Sequence, residues 1–308
     1  MSEIALAPRL SNHQQPSSSP TRSSPLGAYT HLERDESILV VGWERSGAHA
    51  FTLDIRWPAV QGDLPYDPRI LAQTIRQSGL VVAHAEYDVP LDHQTLLNTL
   101  DITIAPGFRA PRDQTSALRV ELDVSEPKRG RRKPSALRVS LHILHGDVTV
   151  ARVDSEFGWI SPPVYRRLRG EYASVEWADW PVPAPVAPEL VGRHDTVDVV
   201  LSPGEESNRW LLRNVVANTR LFDHPVDHVP GLVLLEAAQQ AAHALVAPVP
   251  FSPTGVSTRY SRYVEFDRPC WIEAETLPTP DPDALSLRVR GVQGGEIAFT
   301  VDLDGMTN

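Results

Sequence analysis

The side chains best suited to chemistry are concentrated in one short stretch, residues 221–237. It carries two aspartates and two histidines ahead of a Pro-Gly pair, and a glutamate five residues after the glycine: Asp223, His224, Asp227, His228, Gly231 and Glu236. Imidazole and carboxylate groups are the usual general acids and bases of enzymes. They also suit zinc or manganese, but Pro225 and Pro230 favour a loop and we expect no metal. Asp227 and His228 have a second interpretation, as turn or capping residues.

A buried helix is expected to follow the Pro-Gly pair. Residues 231–246 are apolar nearly all round, and their polar side chains share one stripe: Glu236, Gln239, Gln240 and His243. The run is shorter than the ~20 residues of a membrane helix, which predicts a helix wrapped by a sheet. A carboxylate among Leu and Ala is costly to bury without a role. Glu236 is therefore the main functional candidate of this helix and His243 a weaker one.

The same order of elements occurs in both halves of the chain, which indicates a duplication. Residues 68–77 are apolar like the later helix and align without a gap with residues 231–240. The alignment places Gln73 opposite Glu236 and Arg76 opposite Gln239. Two pseudo-equivalent helices are therefore expected, with different charged groups.

Proline-rich segments set the predicted domain limits. Residues 180–188 have a proline at nearly every second position and must run extended, as a linker does. The first 28 or so residues are rich in Ser and Pro and lack apolar periodicity. We predict a disordered tail, a first repeat, a linker and a second repeat, over residues 1–28, 29–170, 171–192 and 193–308.

Strand patterns follow each helix. Alternating runs are predicted at residues 100–104, 118–122, 137–141 and 148–153 of the first half, and at 257–266, 271–276, 286–292 and 296–303 of the second. One buried helix against a consecutive antiparallel sheet is an α+β arrangement. Two such units side by side would form a pseudo-dimer.

Charge and composition exclude several classes of protein. The 308 residues carry a formal net charge of −10, which argues against nucleic-acid binding. Cys270 is the only cysteine, so an internal disulfide is excluded and a reducing cytoplasm fits. No signal peptide or membrane partner is indicated. The one basic cluster, residues 128–133, is interpreted as a solvated hairpin tip; the alternative is a contact with an acidic partner such as an acyl carrier protein.

The run Phe-Asp-His-Pro-Val-Asp-His-Val-Pro-Gly at residues 222–231, which leads into a helix with Glu236, resembles the signature of the A-factor biosynthesis hot-dog family. The first half agrees as well, through Trp57-Pro58, Tyr66-Asp67-Pro68, Thr74-Ile75-Arg76-Gln77, Ala83-His84 and Val89-Pro90. The resemblance covers roughly residues 30–300. It implies a tandem double hot-dog, in which two antiparallel sheets each wrap around a central helix.

The activity that the resemblance implies is an acyltransferase of the γ-butyrolactone synthase type. It joins a β-ketoacyl chain, delivered as a thioester of acyl carrier protein or coenzyme A, to the hydroxyl of dihydroxyacetone phosphate, and ring closure gives a phosphorylated butenolide. No cofactor is implied. The molecule would be complete as a monomeric pseudo-dimer or would pair again as a homodimer.

The resemblance also implies roles for the singled-out residues. Glu236 would deprotonate or orient the attacking hydroxyl, and the Gly231 N–H at the positive end of the helix would hold the thioester oxygen. Arg76 would bind the phosphate through paired charge-assisted hydrogen bonds. His224 and His228 complete the expected catalytic set. The expected substrate-binding set is Arg76, Gln73, Gln239, Asp227 and His243.

Two positions depart from the family pattern. Gln73 stands where the family usually has Glu, and Gln239 where it often has Arg. The Pro-Gly pair followed by Glu236 also resembles, more distantly, the hot-dog dehydratases of fatty acid synthesis. The alternatives are therefore a hot-dog dehydratase or thioesterase acting on carrier-bound chains, or a catalytically silent acyl-binding homologue.

Overall fold

The computed structural model describes residues 25–62, 64–125, 135–174, 181–281 and 283–307. The basic cluster at 128–133 lies outside these ranges, as do residues 1–24 of the predicted tail and the first residue of the Pro-rich run. The last four residues of the predicted tail belong to a short helix. The domain limits otherwise remain predictions.

Within these ranges the chain forms four α-helices and twelve β-strands. The helices are α1 (Pro25–Thr30), α2 (Pro68–Glu86), α3 (Pro162–Arg169) and α4 (Gly231–Val246). The strands are β1 (Val40–Arg45), β2 (Ala50–Trp57), β3 (Gln94–Ile104), β4 (Ser116–Val124), β5 (Ala136–His145), β6 (Val148–Ile160), β7 (Leu201–Pro203), β8 (Arg209–Leu212), β9 (Phe251–Tyr260), β10 (Cys270–Leu277), β11 (Ala284–Gln293) and β12 (Glu296–Thr307).

All twelve strands belong to one antiparallel sheet, in the order β1-β2-β4-β5-β6-β3-β9-β12-β11-β10-β8-β7. The order of the first half, 1-2-4-5-6-3, recurs in the second half as 7-8-10-11-12-9 when the sheet is followed from its other edge. The halves join where β3 pairs with β9, with Leu100 opposite Thr258. The predicted tandem double hot-dog and the α+β class are confirmed.

The two long helices are the central helices of the repeats. α2 packs against β1, β2 and β5, α4 packs against β7 and β9 to β12, and the two helices contact each other. Asp67 caps α2, since its Oδ1 accepts from the Arg69 N–H at 3.0 Å, and Pro68 fits the first helical position because no hydrogen bond is lost there. α2 extends to Glu86, well beyond the predicted residues 68–77.

An equivalent glutamine in each central helix supports the gapless alignment of the two halves. Gln77 Oε1 accepts from the Leu39 N–H at 2.7 Å, and its Nε2 donates to Ser37 O at 2.9 Å. In the second half Gln240 Oε1 accepts from the Val200 N–H at 2.9 Å, and its Nε2 donates to the carbonyl of Asp198 at 2.7 Å. Each amide thereby fixes the chain that leads into its repeat.

The predicted strand at residues 257–266 is wrong in its second half. β9 ends at Tyr260, because the chain then leaves the sheet and Val264 O accepts a hydrogen bond from the Val229 N–H at 2.9 Å. Strands β1, β2, β7 and β8 were not predicted. They lie in the lead-in to each helix, where short runs alternate with polar turns.

Gly79 allows α2 to approach the sheet, and its replacement is expected to be destabilising. A Cβ at this position would lie 2.8 Å from the ring of Phe157, which is 2% exposed. Gly79→Ala should therefore lower the free energy of unfolding by about 1–3 kcal/mol, although alanine is the better helix former. Urea denaturation measures this loss.

The neighbouring Ser78 provides a matched control. It is fully buried and its Oγ has no partner among the described residues. Ser78→Ala should therefore change the stability little. Equal losses in the two variants would contradict the steric explanation.

Candidate active site

Glu236 lies in a buried ion pair. Arg193 donates from Nε to Glu236 Oε1 and from Nη2 to Oε2, both at 2.7 Å. Gln240 Nε2 adds a hydrogen bond to Oε1 at 2.5 Å. Glu236 is 2% exposed and Arg193 6%. Because both carboxylate oxygens are occupied, the geometry favours a structural role, and the assignment of Glu236 as a base stays a prediction.

A charged network joins the start of α2 to the second half. Arg69 donates from Nε and Nη2 to Asp67 at 3.0 and 2.9 Å, and its Nη1 bonds to Asp198. The Asp198 carboxylate also accepts a hydrogen bond from Asn218 at 2.8 Å, and the Asp67 carboxylate accepts one from Arg220 at 3.2 Å. Burial alone would raise the pKa of Asp67, but the charge and hydrogen bonds of Arg69 lower it. These groups thus hold the two repeats together.

Gln239 and His243 line a pocket between α4 and the first half. The pocket is open to solvent, and its apolar walls come from Leu64, Tyr66 and Phe251. Burial and the charge of Arg193 lower the pKa of His243 to about 4. The structure therefore brings two of the predicted substrate-binding residues together, with His243 neutral near pH 7.

Asp227 and His228 form a pair that is anchored by α3. His228 Nδ1 lies 2.7 Å from Asp227 Oδ1, and the Tyr165 hydroxyl donates to the same carboxylate at 2.7 Å. Arg169 donates from Nε to Asp227 Oδ2 at 3.1 Å and from Nη1 and Nη2 to Glu265 at 2.6 and 2.7 Å. The carboxylate fixes the orientation of the imidazole through Nδ1. Nε2 is the nitrogen of His228 that Asp227 leaves unengaged.

The anchoring of Asp227 predicts a pH dependence of stability. Burial alone would raise its pKa, but the hydrogen bonds from His228 and Tyr165 and the charge of Arg169 lower it to about 2. A carboxylate with a depressed pKa stabilises the fold above its unfolded value of about 3.9, and this contribution disappears as the pH falls towards the folded value. The free energy of unfolding should thus fall between about pH 4 and pH 2, and Asp227→Asn should lack this component.

Urea denaturation at several pH values across this window tests the prediction. The exposed Asp113→Asn is the control for the loss of one negative charge. Wild-type and Asp227→Asn proteins that lose stability in parallel as the pH falls would contradict it.

Arg76 is a cation without a carboxylate partner. Its Nη1 donates to Thr30 O at 3.0 Å, and no carboxylate among the described residues lies within 4 Å of its guanidinium nitrogens. Burial lowers the pKa of Arg76 to about 10, opposed by the charge of Asp223. Arg76 and His224 both influence the titration of His31. The Arg76 guanidinium thus lies between α2 and residues 221–228 of the second half, with Asp223 as the nearby anion.

Polar atoms without partners lie beside Arg76. Gln73 is one turn earlier on α2, and its Oε1 has no partner among the described residues. Asp223 Oδ1 is likewise unpaired, although Oδ2 accepts from the Glu33 N–H at 2.6 Å and lies 3.3 Å from His224 Nδ1. Buried polar atoms in proteins are almost always hydrogen-bonded. We therefore place the candidate active site around Arg76 rather than around the saturated Glu236.

Gly231 provides donors at the start of α4. Within the described ranges, no group accepts a hydrogen bond from its N–H or from that of Leu232. Its carbonyl accepts from the Tyr260 hydroxyl at 2.9 Å. A helix of this length carries a partial positive charge at such an end, which suits the predicted contact with a thioester oxygen.

Comparison with known proteins identifies the family. The family model for the A-factor biosynthesis hotdog domain matches residues 13–161 and 177–305, which together make up most of the chain. The chain belongs to the A-factor biosynthesis hotdog family. The two matched segments agree with the two halves of the sheet.

Curated members of the A-factor biosynthesis hotdog family are similar over most of their length. The 2-oxo-3-(phosphooxy)propyl 3-oxoalkanoate synthase of Streptomyces virginiae is 37% identical over 275 residues, or 88% of this chain and 93% of that protein. The synthase of the same name from Streptomyces coelicolor is 36% identical over 285 residues, or 90% of each chain.

Solved structures agree on the fold alone. A protein described as an oleoyl thioesterase from Lactobacillus plantarum superimposes with a TM-score of 0.54 at 15% identity, covering 85% of this chain and 98% of that one. A 12:0-ACP thioesterase from Umbellularia californica gives 0.50 at 9% identity, covering 86% and 100%.

Neither a metal centre nor a membrane span is found in the part of this family member that the structure describes. There, no three His, Cys, Asp or Glu side chains are grouped so that they could hold a metal ion. None of its described helices is long and apolar enough to cross a membrane.

Sequence reasoning missed several residues of this family member. Arg193, Tyr165, Arg169 and His31 are all distant in sequence from the groups they contact. The gapless alignment of the halves covers only residues 68–77 and 231–240, so it does not extend to the lead-ins that contain His31 and Arg193.

Proposed function

We propose that this protein transfers a 3-oxoacyl group from a thioester to the hydroxyl of dihydroxyacetone phosphate. The product would be the 2-oxo-3-(phosphooxy)propyl 3-oxoalkanoate for which its curated relatives are named. The observation that carries the proposal is the unpaired Arg76, because this acceptor substrate requires a site for a phosphate.

Arg76 is suited to the phosphate for an electrostatic reason. The Arg76 guanidinium is partly buried and donates to a carbonyl rather than to a carboxylate. Desolvation without a directly paired anion is unfavourable, and burial lowers the pKa of Arg76 although the nearby charge of Asp223 opposes the shift. A phosphate dianion supplies the missing charge and accepts two parallel N–H bonds from the planar guanidinium. Gln73, one turn earlier on α2, and His224 would hold the remaining oxygens of the triose.

The thioester would be bound with its carbonyl oxygen at the start of α4. The N–H groups of Gly231 and Leu232 lack acceptors among the described residues, and donors of this kind stabilise the oxyanion of an acyl-transfer intermediate. The acceptor hydroxyl oxygen attacks the carbonyl carbon, the C–S bond then breaks, and the thiolate leaves with the proton released by the hydroxyl. An acyl carrier protein or coenzyme A would supply the thioester.

The rival functions place different demands on the site. A dehydratase or thioesterase acting on the same acyl chain needs no phosphate site, and a silent acyl-binding protein needs no donors at the thioester carbonyl. A guanidinium without a carboxylate contact, together with N–H donors that lack acceptors among the described residues, favours the transferase. We expect one active site for each pseudo-dimer, located around Arg76.

Mass spectrometry of the purified protein incubated with a β-ketoacyl thioester and dihydroxyacetone phosphate tests the proposal. We expect the phosphorylated acyl ester, or the butenolide phosphate formed from it by ring closure. Free β-keto acid would instead indicate a thioesterase, and an unsaturated thioester a dehydratase. Absence of turnover over several chain lengths would favour the silent binding protein.

A further inference from the structure

The imidazole pair His31 and His84 lies next to the Arg76 site and belongs to none of the roles assigned so far. His31 Nε2 is 2.8 Å from His84 Nε2, and His84 Nδ1 is 2.8 Å from Val89 O. His84 is 6% exposed, whereas His31 is only partly buried. The outer imidazole is thus held by an inner one, which is itself held by the backbone.

The hydrogen bonds define the tautomers of both rings. The carbonyl of Val89 can only accept, so His84 Nδ1 carries a hydrogen and Nε2 of the neutral ring accepts. His31 must then donate from Nε2, which leaves its Nδ1 without a hydrogen. No described residue hydrogen-bonds to that nitrogen. His31 therefore presents a free lone pair.

The backbone of His31 is strained in a way that the second half avoids. His31 has a φ of 55°, in the left-handed region, directly after α1. The equivalent turn of the second half has Gly192, with a φ of 65°. The two turns are equivalent because the carbonyl that binds Gln77 lies six residues after His31, and the carbonyl that binds Gln240 lies six residues after Gly192. Glycine is the residue usually found at such a helix end, and residues with a strained backbone cluster at functional sites.

His31 is also placed at the proposed phosphate. The residue before it, Thr30, accepts the hydrogen bond of Arg76. Burial and the charges of His84, Arg76 and His224 lower the pKa of His31 to about 4, so the ring is unprotonated near pH 7. A phosphate at Arg76 would offset the positive charge of that guanidinium and make His31 a stronger base once the substrate is bound.

We propose that His31, oriented by His84, accepts the proton of the acceptor hydroxyl during acyl transfer. The proposal rests on the proposed function. The proton moves from the hydroxyl to His31 Nδ1 as the oxygen attacks the thioester carbon, and it passes to the sulfur when the C–S bond breaks. His31 is thus a catalytic residue that the sequence did not indicate, and His84 is a positioning residue.

Several ionisable residues lie around this pair. Arg76 on α2 and His224 on the segment before α4 lower the pKa of His31, and His93 lowers that of His84. Asp223 accepts from the Glu33 N–H and acts on Arg76, its carbonyl accepts from Arg34, and the ring of Tyr29 stacks on His84. The measurements therefore compare variants at several pH values.

The first test compares His31→Asn with wild type. Asparagine tolerates the left-handed backbone but cannot accept the proton. We expect kcat for ester formation to fall by about 10²–10⁴-fold, with the affinity for inorganic phosphate, measured by calorimetry, within about threefold. The fall of kcat at acid pH, which reports protonation of the base in wild type, should disappear in the variant. His142→Gln, at an exposed site on β5, is the control.

The second test addresses His84. Its replacement by Leu removes the acceptor for His31 Nε2, whereas Gln can restore it through Oε1. We expect His84→Leu to lower kcat by at least about tenfold without a comparable change in KM, and His84→Gln to recover much of it. Equal loss in both, accompanied by equal loss of thermal stability, would contradict a positioning role.

The outcomes separate the two proposals. Ester formation by wild type together with an unchanged kcat in His31→Asn would overturn the role of His31 alone. The role of His31 would also be overturned if kcat fell in His224→Gln but not in His31→Asn. Wild-type protein that makes no ester refutes the proposed function, and the role of His31 with it.

Discussion

The Arg76→Met protein should lose most of its activity in ester formation yet be at least as stable as wild type. Loss of a partly buried, charge-assisted contact with substrate costs about 3–4 kcal/mol, or roughly 10²–10³-fold in kcat/KM. Binding of inorganic phosphate should become undetectable by calorimetry. The stability is expected to rise or stay constant, because the variant removes a cation that has no carboxylate within 4 Å among the described residues.

The opposite signs of the two effects make the test specific. An arginine that served only to stabilise the fold would lose stability when replaced, with activity falling as a result. Arg262→Met removes a cation from an exposed pair with Glu296 and should change neither property. Retention of phosphate binding by Arg76→Met would remove the main support for the proposed acceptor.

Breaking the ion pair between Arg193 and Glu236 should have the largest effect on stability. Glu236→Gln leaves the Arg193 guanidinium buried beside a neutral amide, which is expected to cost about 3–5 kcal/mol. The double variant Arg193→Met, Glu236→Met should recover most of this loss, since an apolar pair of similar volume replaces both charges. Thermal and urea denaturation of the single and double variants measure the recovery.

The same variants decide between the two roles of Glu236. A double variant that recovers both stability and ester formation would show that the pair is structural. A double variant that is stable but inactive would instead support the predicted role of Glu236 as a base. Arg288 makes the same two-point contact with Asp302, at 2.7 and 2.8 Å, on the exposed side of the sheet. Arg288→Met is the matched control and should cost less than about 1 kcal/mol.

The fold could be predicted well where burial leaves a regular pattern of apolar residues in the sequence. The alternating pattern of β4, in which every second residue is inaccessible, and the apolar run of α4 are strong signals of this kind. The lead-in strands β7 and β8 are only three and four residues long, too short for a pattern to be recognised. The end of β9 depends on a hydrogen bond between Val264 and Val229, which no local pattern records.

The candidate site could be predicted only in part, because sequence shows which groups exist but not which are already neutralised. Glu236 was singled out as a buried carboxylate, and the structure pairs it with Arg193, 43 positions earlier. Arg76 is ordinary in sequence and becomes notable because its guanidinium meets a carbonyl rather than a carboxylate. The role of His31 depends on a tautomer that His84 and Val89 impose from positions 53 and 58 residues away.

The pairing of β3 with β9 joins two hot-dog repeats of different sequence into one sheet, so each molecule always contains one copy of each repeat. A homodimer of identical hot-dogs must carry every mutation twice, once at each of two symmetric sites. Here the halves are covalently linked, so the first central helix can carry Gln73 and Arg76 while the second carries Glu236 and Gln239. Two similar halves can thus hold different charged groups, one a cation that donates to a carbonyl and the other an internal ion pair.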